Sequence, residues 1–139
     1  MAYWLMKSEP DAYSWDDLVR DHGTEWDGVR NNAAALNLRK MAIGDRAFFY
    51  HSMTDKAAVG VMEIARTAQP DGDEGRWVSV AVKPVAPLAR PVTLAEMKAT
   101  PALKDMATIR QSRLSVSPVT DAEWATIMAL AARAAPLRK

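Results

Sequence analysis

Between Arg46 and Val85 the sequence carries three strand signals in succession, with no helical stretch between them. Arg46–His51 (RAFFYH) is rich in aromatic residues and reads as a buried strand. Val59–Arg66 (VGVMEIAR) reads as a second, joined to the first by a hairpin. Gln69–Gly75 (QPDGDEG) is a polar loop with a Pro and two Gly. In Arg76–Val85 the residues Val78, Val80 and Val82 fall on one face, and Trp77, Ser79, Ala81 and Lys83 on the other. Period two predicts a half-buried strand. Strands that follow one another directly favour an antiparallel or mixed sheet over a doubly wound parallel one.

Helix signals sit on either side of this block. Tyr3–Lys7 is a short apolar strand closed by Ser8-Glu9-Pro10. Ser14-Trp15-Asp16-Asp17 has the pattern of a capping box and predicts a short helix to about Arg20. A second helix is expected from about Asn32 to Met41. Pro84, Pro87 and Pro91 lack the N–H that a ladder needs, so that stretch should be an edge strand or irregular. Thr93-Leu94-Ala95-Glu96 looks like a second capping box, and Pro101–Met106 like a further helical turn. Arg113–Val119 reads as a last strand. Thr120-Asp121-Ala122-Glu123 is a third box, opening a helix to about Ala134 with Trp124, Ile127, Met128 and Ala131 on one face. Together these predict a single α+β domain over residues 1–139, with a curled, barrel-like mixed or antiparallel sheet of about six short strands and flanking short helices.

The 139 residues, 49% of them hydrophobic, are enough to bury a core without covalent help. No cysteine is present, which excludes disulfides, thiolate zinc sites and a cysteine nucleophile. With His22 and His51 as the two histidines, no metal centre and no cofactor is expected. The start, MAYWLMKSEP, does not read as a signal peptide, and no apolar run approaches the ~18–20 residues of a membrane span. The expected setting is soluble and cytoplasmic, without membrane contact. No phosphate-cradling Gly loop, serine-nucleophile elbow or zinc motif occurs, so no catalytic role is expected. The net charge is +1 with a pI near 8.0, unlike a basic protein that coats nucleic acid. Yet Lys98, Lys104, Arg110 and Arg113 face Asp105 alone between positions 98 and 113, a candidate local basic patch.

Polar residues gather where strands and helices end. Lys7 and Ser8 follow the first strand and can donate to a ligand, or form a charged turn before Pro10. Trp26-Asp27-Gly28-Val29-Arg30-Asn31-Asn32 puts a Trp and several polar side chains before a helix that needs a single cap. Asn31 or Asn32 supplies that cap. Trp26 either packs on the core or stacks on a planar ligand, and stacking on a base is worth about 1–3 kcal/mol. Asp and Asn can read a base edge. Tyr50, His51 and Ser52 end a strand whose Phe48 and Tyr50 share one face, Phe49 and His51 the other. Arg110-Gln111-Ser112-Arg113-Leu114-Ser115 suits phosphate positioning or a solvated loop.

Four of these stretches match one pattern in order: Tyr3–Pro10 (YWLMKSEP), Trp26–Asn31 (WDGVRN), Gly44-Asp45 with Phe48–Ser52 (FFYHS), and Arg110–Thr120 (RQSRLSVSPVT). On them the chain resembles the EVE domain family, from Tyr3 to about Ile127. The resemblance implies a PUA-like fold, related to the YTH readers of methylated adenine and to the ASCH group. It implies a non-enzymatic reader of a modified base, a modified cytosine in DNA or RNA, flipped into an aromatic pocket. On this resemblance Trp26 is the aromatic wall, and Lys7 and Ser8 the rim or floor. Arg30, Asn31 and Asn32 flank it, Tyr50, His51 and Ser52 close another side, and Arg113 and Ser115 face backbone or base edge. Relatives follow the Val-Arg-Asn run with Tyr-Gln-Ala-Arg, where this chain has Asn32-Ala33-Ala34-Ala35. The alternatives are an ASCH-type hydrolase of a modified nucleoside using Lys7 and Glu9, or a protein-interaction module.

Overall fold

Six strands form one mixed sheet in a computed structural model that describes residues 1–53 and 56–133. They are β1 (Tyr3–Ser8), β2 (Thr24–Trp26), β3 (Arg46–His51), β4 (Ala57–Pro70), β5 (Val78–Thr93) and β6 (Val116–Val119). The spatial order is β2-β5-β4-β3-β1-β6. β1 runs parallel to β3, and the other neighbours are antiparallel. The helices are α1 (Trp15–Asp21), α2 (Asn32–Lys40), α3 (Leu94–Ala99), α4 (Ala107–Arg110) and α5 (Asp121–Ala132), with a 3₁₀ turn at Pro101–Leu103. The sheet does not close, because β2 and β6 lie at opposite edges. α2 packs against β4, β5 and β6 and so bridges its two sides. Asn37 Nδ2 donates to the Val116 carbonyl on β6 at 2.7 Å, and Arg39 Nη2 to the Arg76 carbonyl ahead of β5 at 2.9 Å.

Both faces of the central strands are covered. One face carries Trp4, Met6 and Phe49 under Trp15 and Leu18 of α1 and Leu38 of α2. The other carries Leu5, Phe48 and Tyr50 under Met97, Leu103, Met106, Ile127 and Leu130. This explains why β1 and β3 read as unbroken apolar runs, whereas β5 alternates: Val78, Val80 and Val82 all lie in the first cluster. Trp124 stacks on Tyr3 at 4.3 Å and on Phe48 at 3.9 Å. The α5 stripe is rotated from its expected position: Leu130 is buried and Met128 is 39% exposed. The expected end of that helix at Ala134 lies outside the described residues.

Local rules held where partners are local. Ser14 and Thr120 form complete capping boxes with Asp17 and Glu123. At Thr93 the box is half made. Its hydroxyl accepts from the Glu96 N–H, but the Glu96 carboxylate turns to Arg90 in a two-point ion pair of 2.9 and 2.7 Å. The last strand starts at Val116, not Arg113, because the preceding residues form α4 and a turn. β5 continues through Pro84, Pro87 and Pro91 as a paired strand. Its other side meets β2 only at Val80–Val82, so the prolines fall where that side has no strand partner among the described residues.

Two positions tie the layers together. Gly60 on β4 lies under the Trp15 ring, and a Cβ there would come within 2.5 Å of ring carbons. Asp45 is buried at the turn before β3, where it accepts from the Ala2 N–H at 3.1 Å, the Trp4 indole N–H at 3.1 Å and the Ala42 N–H at 3.0 Å. Burial alone would raise its pKa, but these donors outweigh it and hold the carboxyl below its usual value.

Gly60→Ala should lower unfolding free energy by about 1–3 kcal/mol through overpacking against Trp15, read by denaturant titration. A carboxyl depressed in the folded state contributes stability above its unfolded pKa of about 3.9, and that stability is lost as pH falls through the folded value. Asp45→Asn should therefore cost about 1.5–3 kcal/mol at pH 7 and flatten the acid limb of the stability curve. An unchanged acid limb would refute the assignment.

Candidate nucleic-acid interface

Trp26 ends β2, a three-residue strand that no period in the sequence reveals. It pairs Thr24, Glu25 and Trp26 with Val82, Ala81 and Val80. Alternation sends Glu25 to the opposite face from Trp26. There Glu25 binds Arg66 through two bonds of 2.6 and 2.9 Å and accepts from the Ser79 hydroxyl at 3.0 Å. The Arg66 guanidinium keeps the Glu25 carboxyl below its usual value. Trp26 is 8% exposed and meets Phe49 edge-to-face at 5.4 Å. Phe49 makes the same kind of contact with Trp15 at 5.7 Å and His51 at 5.6 Å. Trp26 thus packs on the core and still borders open space.

That space is a cavity of about 570 Å³ between the end of β1 and β2, lined among others by Lys7, Ser8, Glu9, Tyr13, Trp26 and Asp27. The loop after β1 turns back through Ala12 and Tyr13 N–H groups donating to the Glu9 carbonyl. The Ser8 hydroxyl pins it by donating to the Tyr13 carbonyl at 2.6 Å. The Tyr13 hydroxyl donates to Asp21 at 2.9 Å. Lys7 borders the cavity, but its ammonium donates to the Ser112 carbonyl at 3.0 Å and lies 5.8 Å from the Tyr50 ring centre. Burial lowers the Lys7 pKa and pushes Tyr50 up to about 12.

Of the expected site residues, Lys7, Ser8 and Trp26 come together here. Tyr50 is buried on the other face of the sheet. His51 Nε2 accepts from the Trp15 N–H at 3.0 Å, holding the first turn of α1. The Ser52 N–H donates to the Ser8 carbonyl at 2.9 Å, and the Ser115 carbonyl accepts from the Lys7 N–H at 2.8 Å. These four surround the end of β1 and do not line the cavity. Tyr13 and Thr24 also line the cavity, outside the stretches expected to form it. Tyr13 precedes a capping Ser in the loop after Pro10, and that adjacency was the available signal.

The turn after Trp26 is latched from a distance. Gly28 has φ 74°, and its N–H donates to Asp71 Oδ2 at 2.9 Å. Arg30 donates to the same oxygen at 2.9 Å. Arg30 and Arg76 lie 5.6 and 4.5 Å from the Trp77 ring centre. Asn31, not Asn32, caps α2 by accepting from the Ala34 N–H at 2.9 Å. Asn32 accepts from Arg76 at 3.0 Å beside a depression of about 390 Å³. Asn31 and Arg113 share another of about 340 Å³ with Arg110. Among the described residues no group of three His, Asp or Glu could hold a metal ion, and no helix is long and apolar enough to cross a membrane.

Asp71→Ala should free the Gly28 amide, raising its hydrogen-exchange rate about tenfold or more, while the exposed ion pair accounts for no more than about 1 kcal/mol of stability. Unchanged exchange at Gly28 would dismiss the latch.

A family model for the EVE domain matches residues 2–130. Human thymocyte nuclear protein 1 is 34% identical over 93% of this chain and 73% of its own length. The NMR structure of a Rhodopseudomonas palustris protein is 49% identical, with a TM-score of 0.90 over 94% of this chain and 93% of the other. The crystal structure of human thymocyte nuclear protein 1 in complex with DNA containing 5-methylcytosine is 32% identical, with a TM-score of 0.91 over 97% of this chain and all (100%) of the other. The match of fold, motifs and sequence runs nearly end to end, and the chain belongs to the EVE domain family.

Proposed function

We propose that this chain binds DNA carrying a modified cytosine, taking the flipped base into the cavity beside Trp26. The observation that carries it is the cavity itself: about 570 Å³, within the range of small-molecule sites, with Trp26 as a wall and Tyr13 as a second aromatic. A relative with the same fold is solved with 5-methylcytosine DNA, which supports the ligand class. A base enters such a site only by leaving its stack, and an aromatic wall offsets part of that cost. Trp26 is mostly covered, so it offers one bounded surface rather than an open platform.

Phosphate contacts fit the depression where Arg110 and Arg113 lie beside Asn31, the cap of α2. Neither guanidinium has a hydrogen-bond or ion-pair partner among the described residues. With a net charge of +1, binding should be weak at physiological salt and strongly salt-dependent. Single-stranded DNA and RNA share the same base chemistry and are competing substrates in the test.

A second chemistry has one observation in its favour: Lys7 and Glu9 both border the cavity, and burial lowers Lys7. That is the pairing a nucleoside hydrolase would need. The Lys7 ammonium, however, is engaged by the Ser112 carbonyl. Incubation with acylated cytidine should give no turnover; turnover lost in Lys7→Ala would move the chain to the hydrolases.

Fluorescence anisotropy with duplexes carrying cytosine or 5-methylcytosine tests the base reading. Wild type should prefer the modified duplex, and Trp26→Ala should lose that preference. Trp26→Phe, which keeps an aromatic in the core, should retain part of it and controls for misfolding. Arg113→Ala should weaken both duplexes about equally and reduce the salt slope by about 1. Equal affinity of wild type for the two duplexes would overturn the proposal.

A further inference from the structure

The side-chain donors around the cavity are almost all in use. The Lys7 ammonium donates to Ser112, the Ser8 hydroxyl to the Tyr13 carbonyl, and the Tyr13 hydroxyl to Asp21. The Thr24 hydroxyl lies beside the Tyr13 hydroxyl. The Glu25 carboxylate, also on the lining, is held by Arg66 and the Ser79 hydroxyl. Two carboxylates and one indole N–H on the lining have no partner at all among the described residues. Glu9 and Asp27 are exposed lining residues whose carboxylates have no partner among the described residues. The Trp26 indole N–H also has none.

A carboxylate at neutral pH accepts and cannot donate. A base edge that fits such a wall presents an amine where the carboxylates lie. Cytosine does so at N4, and acidic side chains accept from that amine. Thymine carries the same 5-methyl group as 5-methylcytosine but a carbonyl at position 4. Two carboxylates meet that oxygen with repulsion and no hydrogen bond. The spare indole N–H suits a ring carbonyl, which both bases offer, and so does not discriminate between them.

Resting on the base-binding proposal above, we infer that Asp27, assisted by Glu9, is the specificity determinant that admits an amino-bearing pyrimidine and rejects the keto-bearing one of the same shape. The cavity is thereby a discriminator between 5-methylcytosine and its deamination product, thymine. Asp27 has the leading part because it follows Trp26 directly and is fixed by the turn that Asp71 latches at Gly28. Glu9 approaches from the β1 loop.

Single-stranded oligonucleotides identical but for one central 5-methylcytosine, cytosine or thymine remove the cost of opening a duplex and leave the base as the variable. Wild type should bind the 5-methylcytosine strand about tenfold or more tighter than the thymine strand. Asp27→Asn can present an N–H to the thymine carbonyl and should narrow that ratio to about threefold or less. Glu9→Gln should narrow it less, and the double variant should abolish it. Unchanged melting temperatures show that the variants are folded. Parallel titrations with 5-methyl-2′-deoxycytidine and thymidine tell whether the cavity discriminates free nucleosides as well as strands. If wild type binds the 5-methylcytosine strand but no better than the thymine strand, or the ratio survives in the double variant, the inference falls and base binding stands. If wild type binds no 5-methylcytosine strand or nucleoside, base binding and this inference fall together.

Discussion

The contact on which this structure depends is the ring of Phe49, met edge-to-face by Trp15, Trp26 and His51. Each such contact adds about 0.5–1.5 kcal/mol beyond the area it buries. Their placement matters more than their sum. Trp15 anchors α1, Trp26 anchors β2, and His51 marks the end of β3 while accepting from the first turn of α1. One buried phenyl therefore sets the distance between the three elements around the cavity. Gly60 is the counterpart on the next strand, since the indole of Trp15 can lie flat on β4 only where no Cβ intervenes.

Covering the sheet on both faces has a cost in composition that the chain meets with long apolar strands, and a benefit at the edges. β1 and β3, buried on both sides, are rigid and can hold a loop such as residues 9–13 at a fixed height above β2. The rim of the cavity is thus built from a short strand and two loops fastened by polar contacts to a buried centre. Ser8 fastens one, and Asp71 fastens the other. Such an arrangement favours a preformed site over one assembled by the ligand.

Much of this was legible in the chain itself. The strand block from Arg46 onward, the mixed sheet and two of the three capping boxes follow from local pattern and short-range hydrogen bonding. What was not legible depends on partners far away in sequence. The Glu96 carboxylate leaves its expected box for Arg90, which reaches it across a strand end. Arg30 looked like a flank of the pocket, and its partner Asp71 lies in a loop 41 positions on. β2 has three residues and no period to detect, so its existence follows only from the open side of β5. Trp26 could be singled out by type, but its double position, core on one side and cavity on the other, is a property of the assembled sheet.

The prolines of β5 have a bearing on how molecules of this chain meet one another. Beyond Val82 the strand has β4 on one side and, among the described residues, no strand on the other, the geometry in which a second chain could add itself by strand pairing. Pro84, Pro87 and Pro91 remove three amide donors from that stretch, which interrupts any ladder an approaching strand could form. The flank left by a three-residue β2 is for that reason a poor template for edge-to-edge strand addition.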